Sequence, residues 1–306
     1  MKSYEILSPQ ASLMTNSKSF HWASRIFGSP MRQNVERLYA FCRVLDDMAD
    51  GQIPNGHERL ISIREDLIEN RSSTDPIFSS FQPFMHNMNF PRDVLVALMD
   101  GLIEDSAGHV CLAEEADLLV YAYRVAGTVG LLMCEVLNCE NPDSFSYAID
   151  LGIGMQLTNI ARDVLEDASM GRRYIPGDWV NDLSPDEICG AANEPEGKAA
   201  QEVRASIKRL LALAETFYKS GARGYRYLPW RAHLSIALAG RIYRQIGLQL
   251  ADRGYPWYEG RQVTSKAAKL RCSLIAPSSL VTRLISNDTN HDQLLHTHLQ
   301  DLPYVK

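Results

Sequence analysis

The stretch Gln156–Pro176, QLTNIARDVLEDASMGRRYIP, decides how this chain is read. At 3.6 residues per turn one stripe gathers Gln156, Asn159, Asp163 and Asp167, with Ile160, Val164 and Leu165 among or beside them. Asp163 and Asp167 are four apart, so a helix stacks them on one face about 6 Å apart along its axis. Like charges in that position repel by a few tenths of a kcal/mol even when exposed. A divalent metal would offset the repulsion. The helix is expected to end at Gly171, and Arg172 and Arg173 follow at once. Carboxylates for a metal beside arginines for phosphate oxygens are the donor set of a diphosphate site. A solvated charged face is the competing reading, and for an isolated DxxxD it is the commoner one.

This pair is not isolated. Upstream, VERLYAFCRVLDDMAD carries Asp46 and Asp50, again four apart, with Arg43 one turn before Asp46. Leu38, Phe41, Cys42, Leu45 and Ala49 make that helix mostly buried, whereas Asp47 points off the stripe and reads as solvated. A buried carboxylate costs several kcal/mol unless it is paired or metal-bound. Two such helices facing one cavity, with Mg²⁺ bridging their carboxylates to a diphosphate, account for both pairs, because Mg²⁺ takes few protein carboxylates and completes its shell with phosphate and water.

Working outward, 306 residues are enough for one large domain or two small ones, and 45% hydrophobic with 22% charged residues is ordinary globular composition. A net charge of −6 leaves no basic stripe to neutralise phosphates, which excludes nucleic acid as partner. Six cysteines form no CxxC, and Cys42, Cys111 and Cys134 in apolar runs read as reduced core thiols of a reducing compartment. MKSYEILSPQ has no apolar h-region, and no apolar run approaches the ~20 residues of a membrane span. The expectation is a cytoplasmic protein, at most peripheral to the membrane.

Helix signals recur along the chain and strand signals are scarce. Ser29-Pro30 reads as N-cap and N1 of a helix to about 51; Pro91 opens another to about 107; a long helical stretch covers about 113–137. Asn141-Pro142 starts the helix with the opening motif, and Ser184-Pro185-Asp186-Glu187 is a capping box. Pro195 and Pro229 precede amphipathic segments over 196–223 and 230–253, and a last one spans 262–285. No linker divides the chain. We therefore read one all-α domain over 1–285, with its cavity between helices, and a polar, frayed tail over 286–306. His296 and His298 in that tail are two apart, do not share a helix face, and are expected in solvent. Gly127 and Gly130 in AGTVG cost about 1 kcal/mol each in a helix interior, which implies close approach of either another helix or a substrate chain. Gly152-Ile153-Gly154 lies inside a helix with no strand before it, so no dinucleotide fold is expected.

These blocks carry a family resemblance. SKSF at Ser17–Phe20, YAFCRVLDDMAD, YAYRVAGTVG at Tyr121–Gly130 and QLTNIARDVLEDASMGRRYIP, with the weaker GRIYRQIG and TSKAAKLR, are similar in kind and order to the squalene/phytoene synthase family, most of all to its bacterial phytoene synthases. The resemblance implies a helical bundle of the isoprenoid synthase type. It implies head-to-head condensation of two prenyl diphosphates, geranylgeranyl diphosphate foremost, through a cyclopropylcarbinyl diphosphate to a symmetric polyene such as phytoene. Asp46, Asp50, Asp163 and Asp167 would hold Mg²⁺ or Mn²⁺, with Asn159 as a further oxygen ligand and Gln156 beside it. Ser19, Arg43 and Arg173 would contact diphosphate oxygens. Tyr121 would meet the diphosphate or the departing proton, with Tyr123 competing for that role, and Tyr243 and Arg261 would complete that end. No NADPH is expected, since the closing step is proton loss. Product release would bring peripheral membrane contact. The alternatives are a squalene-, dehydrosqualene- or hydroxysqualene-forming relative using farnesyl diphosphate, or a lipid-binding or assembly protein that kept the fold without the chemistry. Ser24, one turn beyond Phe20, either lines the prenyl cavity, leaving room for twenty carbons, or bonds a carbonyl of its own helix.

Overall fold

Proline and short polar caps set the helix starts, and in the computed structural model most helices begin where those signals fall. Residues 8–16, 18–139, 141–260, 265–281 and 290–306 are described. α1 (Pro9–Asn16) and α2 (Lys18–Ser24) lead into α3 (Ser29–Ala49), which starts one residue earlier than expected, with Gly28 as its N-cap. α4 (Gly56–Ile68) and α5 (Pro76–Asn87) follow, two helices that the sequence reading passed over. Their signals are local but real: Asn55 turns the chain at φ 56°, and the Asp75 carboxylate caps α5 by accepting from the N–H groups of Ile77 and Phe78. Arg59 of α4 donates to the same carboxylate at 2.6 Å, tying the two helices together.

α6 (Arg92–Ser106) precedes a rod made of α7 (Glu115–Ala122), a π-helical turn at Tyr123–Gly127, and α8 (Thr128–Val136). π turns are rare and cluster at functional sites. The rod is long and apolar enough to cross a membrane, but 56% of its apolar window is buried inside the bundle, as expected of a core helix. α9 (Ser144–Ser169) runs through the middle, packed against α8, α10 (Pro185–Ala191), α11 (Lys198–Arg223) and α12 (Trp230–Asp252). α10 begins with the capping box read from the sequence, Ser184 and Glu187 each satisfying the other's backbone N–H. α13 (Lys266–Ile275) closes the helical series. Among the described residues the strands are a parallel two-residue pair, β1 (Val110–Cys111) and β2 (Arg172–Arg173).

Backbone contact explains the glycines. A Cβ on Gly130 would sit 2.3 Å from the Ala148 carbonyl oxygen, and one on Gly152 would sit 2.3 Å from that of Ala126. α8 and α9 therefore touch through their backbones, and helix packing is what these two positions require. Three expectations fail. Cys111 is exposed, because it lies on the bridge at the molecular surface; Cys134 is buried and Cys42 half-buried. Asp47 is buried and ion-paired to Arg43, because a long arginine one turn back folds over it. The C-terminal stretch is folded where described: Gln293–Leu299 form a 3₁₀ turn with His296 and Leu299 buried, while His298 is exposed as expected.

Candidate active site

The two acidic pairs meet. Asp46 and Asp50 from α3 and Asp163 and Asp167 from α9 line one polar cleft of about 290 Å³, with Arg43, Gln156, Asn159 and Tyr121 in its walls. Each pair sits four apart near the C-terminal end of its helix, so the two helix ends bring all four carboxyls to the same mouth. Gly171, at φ 78°, then ends α9 and turns the chain into β2. From there Arg172 reaches across to α3: its Nη1 donates to Asp50 Oδ1 at 2.8 Å. Within α9, Arg162 Nε donates to Asp163 Oδ1 at 2.7 Å.

Positive charge does not cover all of these acids. Burial and the neighbouring Asp163 push the Asp167 carboxyl up to about 8, against the pull of Arg172. Burial, opposed by Arg43 and reinforced by Asp50, Asp105 and Asp47, pushes Asp46 up to about 7. Asp46 still opens on the cleft, so a ligand entering there reaches its oxygens. Deeper in, Asp105 of α6 accepts from the Tyr121 hydroxyl at 3.0 Å and the Tyr174 hydroxyl at 2.7 Å, and the two rings stack at 4.6 Å. Burial outweighs both hydrogen bonds and lifts Asp105 to about 6.

The donor set fits a divalent cation. It is made of oxygens, mostly carboxylate, which suits a hard ion. Asn159 supplies the clearest sign: its Oδ1 is buried and accepts no hydrogen bond, while its Nδ2 donates to Gln156 Oε1 at 3.3 Å. A buried acceptor left without a donor costs about 1–3 kcal/mol. A cation among Asp163, Asp167 and Asn159 would satisfy it and would offset the repulsion by which Asp163 raises Asp167.

An apolar cavity of about 230 Å³ adjoins the cleft. Val125, Gln156 and Asn159 line both, so the acidic cleft and the apolar cavity adjoin along a shared wall. The cavity's walls include Phe20, Met133, Met155 and Tyr243, with the Phe20 and Tyr243 rings 5.4 Å apart.

Several assignments change with the geometry. Arg172 rather than Arg173 lines the cleft. Adjacent residues of a strand point to opposite faces, and Arg173 is turned away, buried against Gly177 and paired with Asp182 at 3.6 Å. Tyr121 and not Tyr123 lines the cleft; the Tyr123 hydroxyl donates to the Pro303 carbonyl. Tyr243 stands in the apolar wall rather than among the acids. Ser24 Oγ donates to the His21 carbonyl of its own helix at 3.0 Å and lies outside the lining of the cavity, so it does not set the cavity's depth. The Ser19 side chain and Arg261 lie outside the described residues. Sequence reasoning missed Asp105, Tyr174 and Arg162. Arg162 and Tyr174 both lie inside the opening motif, where a basic residue among acids and a tyrosine after two arginines were available signals; Asp105 is brought in by tertiary packing alone.

Comparison with known proteins agrees with this geometry. The family model for squalene/phytoene synthase matches residues 13–269. The phytoene synthase of Rhodobacter capsulatus is 34% identical over 264 residues, covering 84% of this chain and 76% of that protein. The 15-cis-phytoene synthase of a Paracoccus species is 35% identical over 276 residues, covering 87% and 88%. The crystal structure of a dehydrosqualene synthase in complex with ligand superimposes with a TM-score of 0.74 at 25% identity, covering 90% of this chain and 95% of that one. With the acidic cleft, the apolar cavity behind it and matches of this extent, the chain belongs to the squalene/phytoene synthase family.

Proposed function

We propose that this protein is a prenyl transferase that joins two molecules of geranylgeranyl diphosphate head to head, through a cyclopropylcarbinyl diphosphate, to phytoene. The carrying observation is an acidic cleft with an apolar cavity adjoining it, which matches a substrate with a diphosphate head and a hydrocarbon tail. Identity of 34–35% to phytoene synthases, against 25% to the dehydrosqualene enzyme, favours the twenty-carbon substrate over farnesyl diphosphate.

Asp46, Asp50, Asp163, Asp167 and Asn159 would hold Mg²⁺, with Mn²⁺ able to substitute. The bound ion supplies Lewis acidity toward the departing diphosphate. Arg43, Arg162 and Arg172 offer guanidinium groups to diphosphate oxygens, so negative charge leaving carbon is met by fixed positive charge. Each half of the reaction expels one diphosphate and one proton. Tyr121 commits its hydroxyl hydrogen to Asp105 and so turns its oxygen lone pairs toward the cleft, where they can accept a proton or orient the head group. The apolar walls exclude water, which would otherwise quench an allylic cation. No step removes or adds hydride, so turnover needs no nicotinamide cofactor.

The test is incubation of the purified protein with geranylgeranyl diphosphate and Mg²⁺, without NADPH, followed by mass analysis of the organic extract. A forty-carbon triene-centred hydrocarbon is expected. Absence of product, product only with NADPH, or a clear preference for farnesyl diphosphate in a mixed incubation would each overturn the reading. We place the enzyme in the cytoplasm, touching the membrane through Leu270, Leu274, Ile275 and Val281, which are exposed on and just after α13 and suit release of an apolar product. Co-sedimentation with anionic liposomes that survives Leu274→Asp would count against that contact.

A further inference from the structure

Asp150 of α9 is fully buried and stands outside the lining of the cavity. Three donors surround its carboxylate. Ser220 Oγ donates at 2.5 Å from α11, and from the C-terminal segment His291 Nε2 is 2.7 Å and His296 Nε2 2.8 Å away. These are the separations of direct hydrogen bonds. Removing the C-terminal segment would strip two of three partners from a buried charge, which such a site does not tolerate.

One side chain connects this cluster to the hydrocarbon space. Tyr147, one turn before Asp150, is buried and lines the apolar cavity, and the edge of the His291 ring meets it at 5.3 Å and 73°. Gly224 closes on it so tightly that a Cβ there would lie 2.4 Å from the Tyr147 Cβ. Asn159, at the junction with the acidic cleft, stands twelve residues further along the same helix, about 18 Å by the helical rise. That is comparable with an extended chain of four isoprene units. The segment is also anchored by Arg223, which donates to the Asn290 carbonyl at 2.9 Å, and by Tyr304, whose ring meets Phe145 at 5.3 Å.

We infer that residues 290–306 set the depth of the apolar cavity: His291 and His296 clasp Asp150 and hold Tyr147 in the wall at the end away from the acidic cleft, beside Ser144 and Cys139, so the clasp selects the length of the prenyl chain. This rests on the prenyl diphosphate reading above. His291 and His296 are positioning residues and touch no substrate; Tyr147 is the specificity residue through which they act.

The experiment measures cavity depth without chemistry. Straight-chain alkyl bisphosphonates of increasing length are titrated calorimetrically, with Mg²⁺ present, into wild type, His291→Ala/His296→Ala, His291→Gln/His296→Gln and Tyr147→Ala. In wild type, affinity should rise with chain length and then fall sharply at a cut-off. The alanine pair should move the cut-off to longer chains, with about tenfold tighter binding than wild type at the first excluded length. The glutamine pair keeps a donor to Asp150 and should restore the wild-type cut-off, which a general loss of packing would not do. Tyr147→Ala leaves the clasp in place and should shift the cut-off as the alanine pair does, so it decides the matter even if that pair fails to fold. An unchanged cut-off in Tyr147→Ala, an unchanged cut-off in a folded alanine pair, or wild-type affinity indifferent to length overturns the inference. Failure of wild type to convert geranylgeranyl diphosphate would instead overturn the proposed activity, leaving the bisphosphonate series to judge the clasp.

Discussion

α9 carries buried or half-buried aspartates at both ends, and they live under opposite conditions. Near its start, Asp150 has three donors within 2.8 Å. Burial would raise its carboxyl, but the hydrogen bonds from His291 and His296 outweigh that and hold it below the usual carboxylate range. Near its end, Asp167 has Asp163 one turn away and is raised to about 8, while Asn159 keeps an orphaned oxygen. The first site is complete as it stands. The second is short of positive charge, and that deficit marks where a cation and a diphosphate belong.

The most demanding way to break this contrast is at the deficient end. Asp46→Asn and Asp167→Asn should each lose turnover at least about a thousandfold, equivalent to ~4 kcal/mol of barrier. Metal-free thermal stability should hold or rise, since each change removes a repelled carboxylate. Asp163→Asn should lose turnover too but should also lose stability, because Arg162 loses its ion pair. More than about a tenth of the wild-type rate in any of the three, ~1.4 kcal/mol, would end the metal assignment.

At the complete end the prediction inverts. Asp150→Ala should cost about 3 kcal/mol or more in denaturant titration, because Ser220, His291 and His296 lose a shared buried acceptor. A cost under about 0.5 kcal/mol, the size of an ordinary surface change, would make the two ends of α9 alike.

Asp105 sharpens the comparison through pH. Its folded carboxyl is raised by burial to about 6, above the ~3.9 of an unfolded aspartate, so its contribution is fully present below about pH 4 and is lost as pH rises through 6. On the order of 2–3 kcal/mol is involved. Stability between pH 4 and 7, followed in metal-free buffer, should therefore fall less steeply in Asp105→Asn than in wild type; parallel curves would contradict the raised value.

The smallest expected effect separates two neighbours. Arg172→Ala should lower turnover about tenfold or more, whereas Arg173→Ala should act mainly on stability through its pairing with Asp182. Comparable kinetic losses in both would restore Arg173 to the diphosphate.

Much of the fold was legible because its signals are local. Prolines, the capping box at Ser184 and the Gly171 stop specify helix ends within a residue or two, and i,i+4 spacing puts each acidic pair on one face. That the pairs converge followed from charge: two largely apolar helices that each carry a repelling carboxylate pair need a common cation. Asp46 and Asp50 nevertheless open on the cleft rather than being buried as the sequence led us to expect. What stayed hidden depends on partners distant in sequence. Nothing in the spacing of His296 and His298 points to Asp150, and the argument that they share no face was correct yet silent about a third residue elsewhere. Which of Arg172 and Arg173 faces the cleft is decided by a two-residue bridge to Val110–Cys111, too short to leave a period-2 pattern. Asp105 carries no motif, and Tyr174, although inside the opening stretch, has no spacing that ties it to Asp105; the fold makes them neighbours.

The backbone contact between α8 and α9 bears on how such a cavity can diversify. Gly130 and Gly152 are part of its lining, and at either position any other residue would drive a carbon into a carbonyl oxygen. Single substitutions in a lineage cannot reshape that side without parting two central helices. Evolutionary change in substrate size is channelled instead to the parts of the wall built from side chains, where Phe20, Met133, Met155 and Tyr147 can be enlarged or trimmed one at a time.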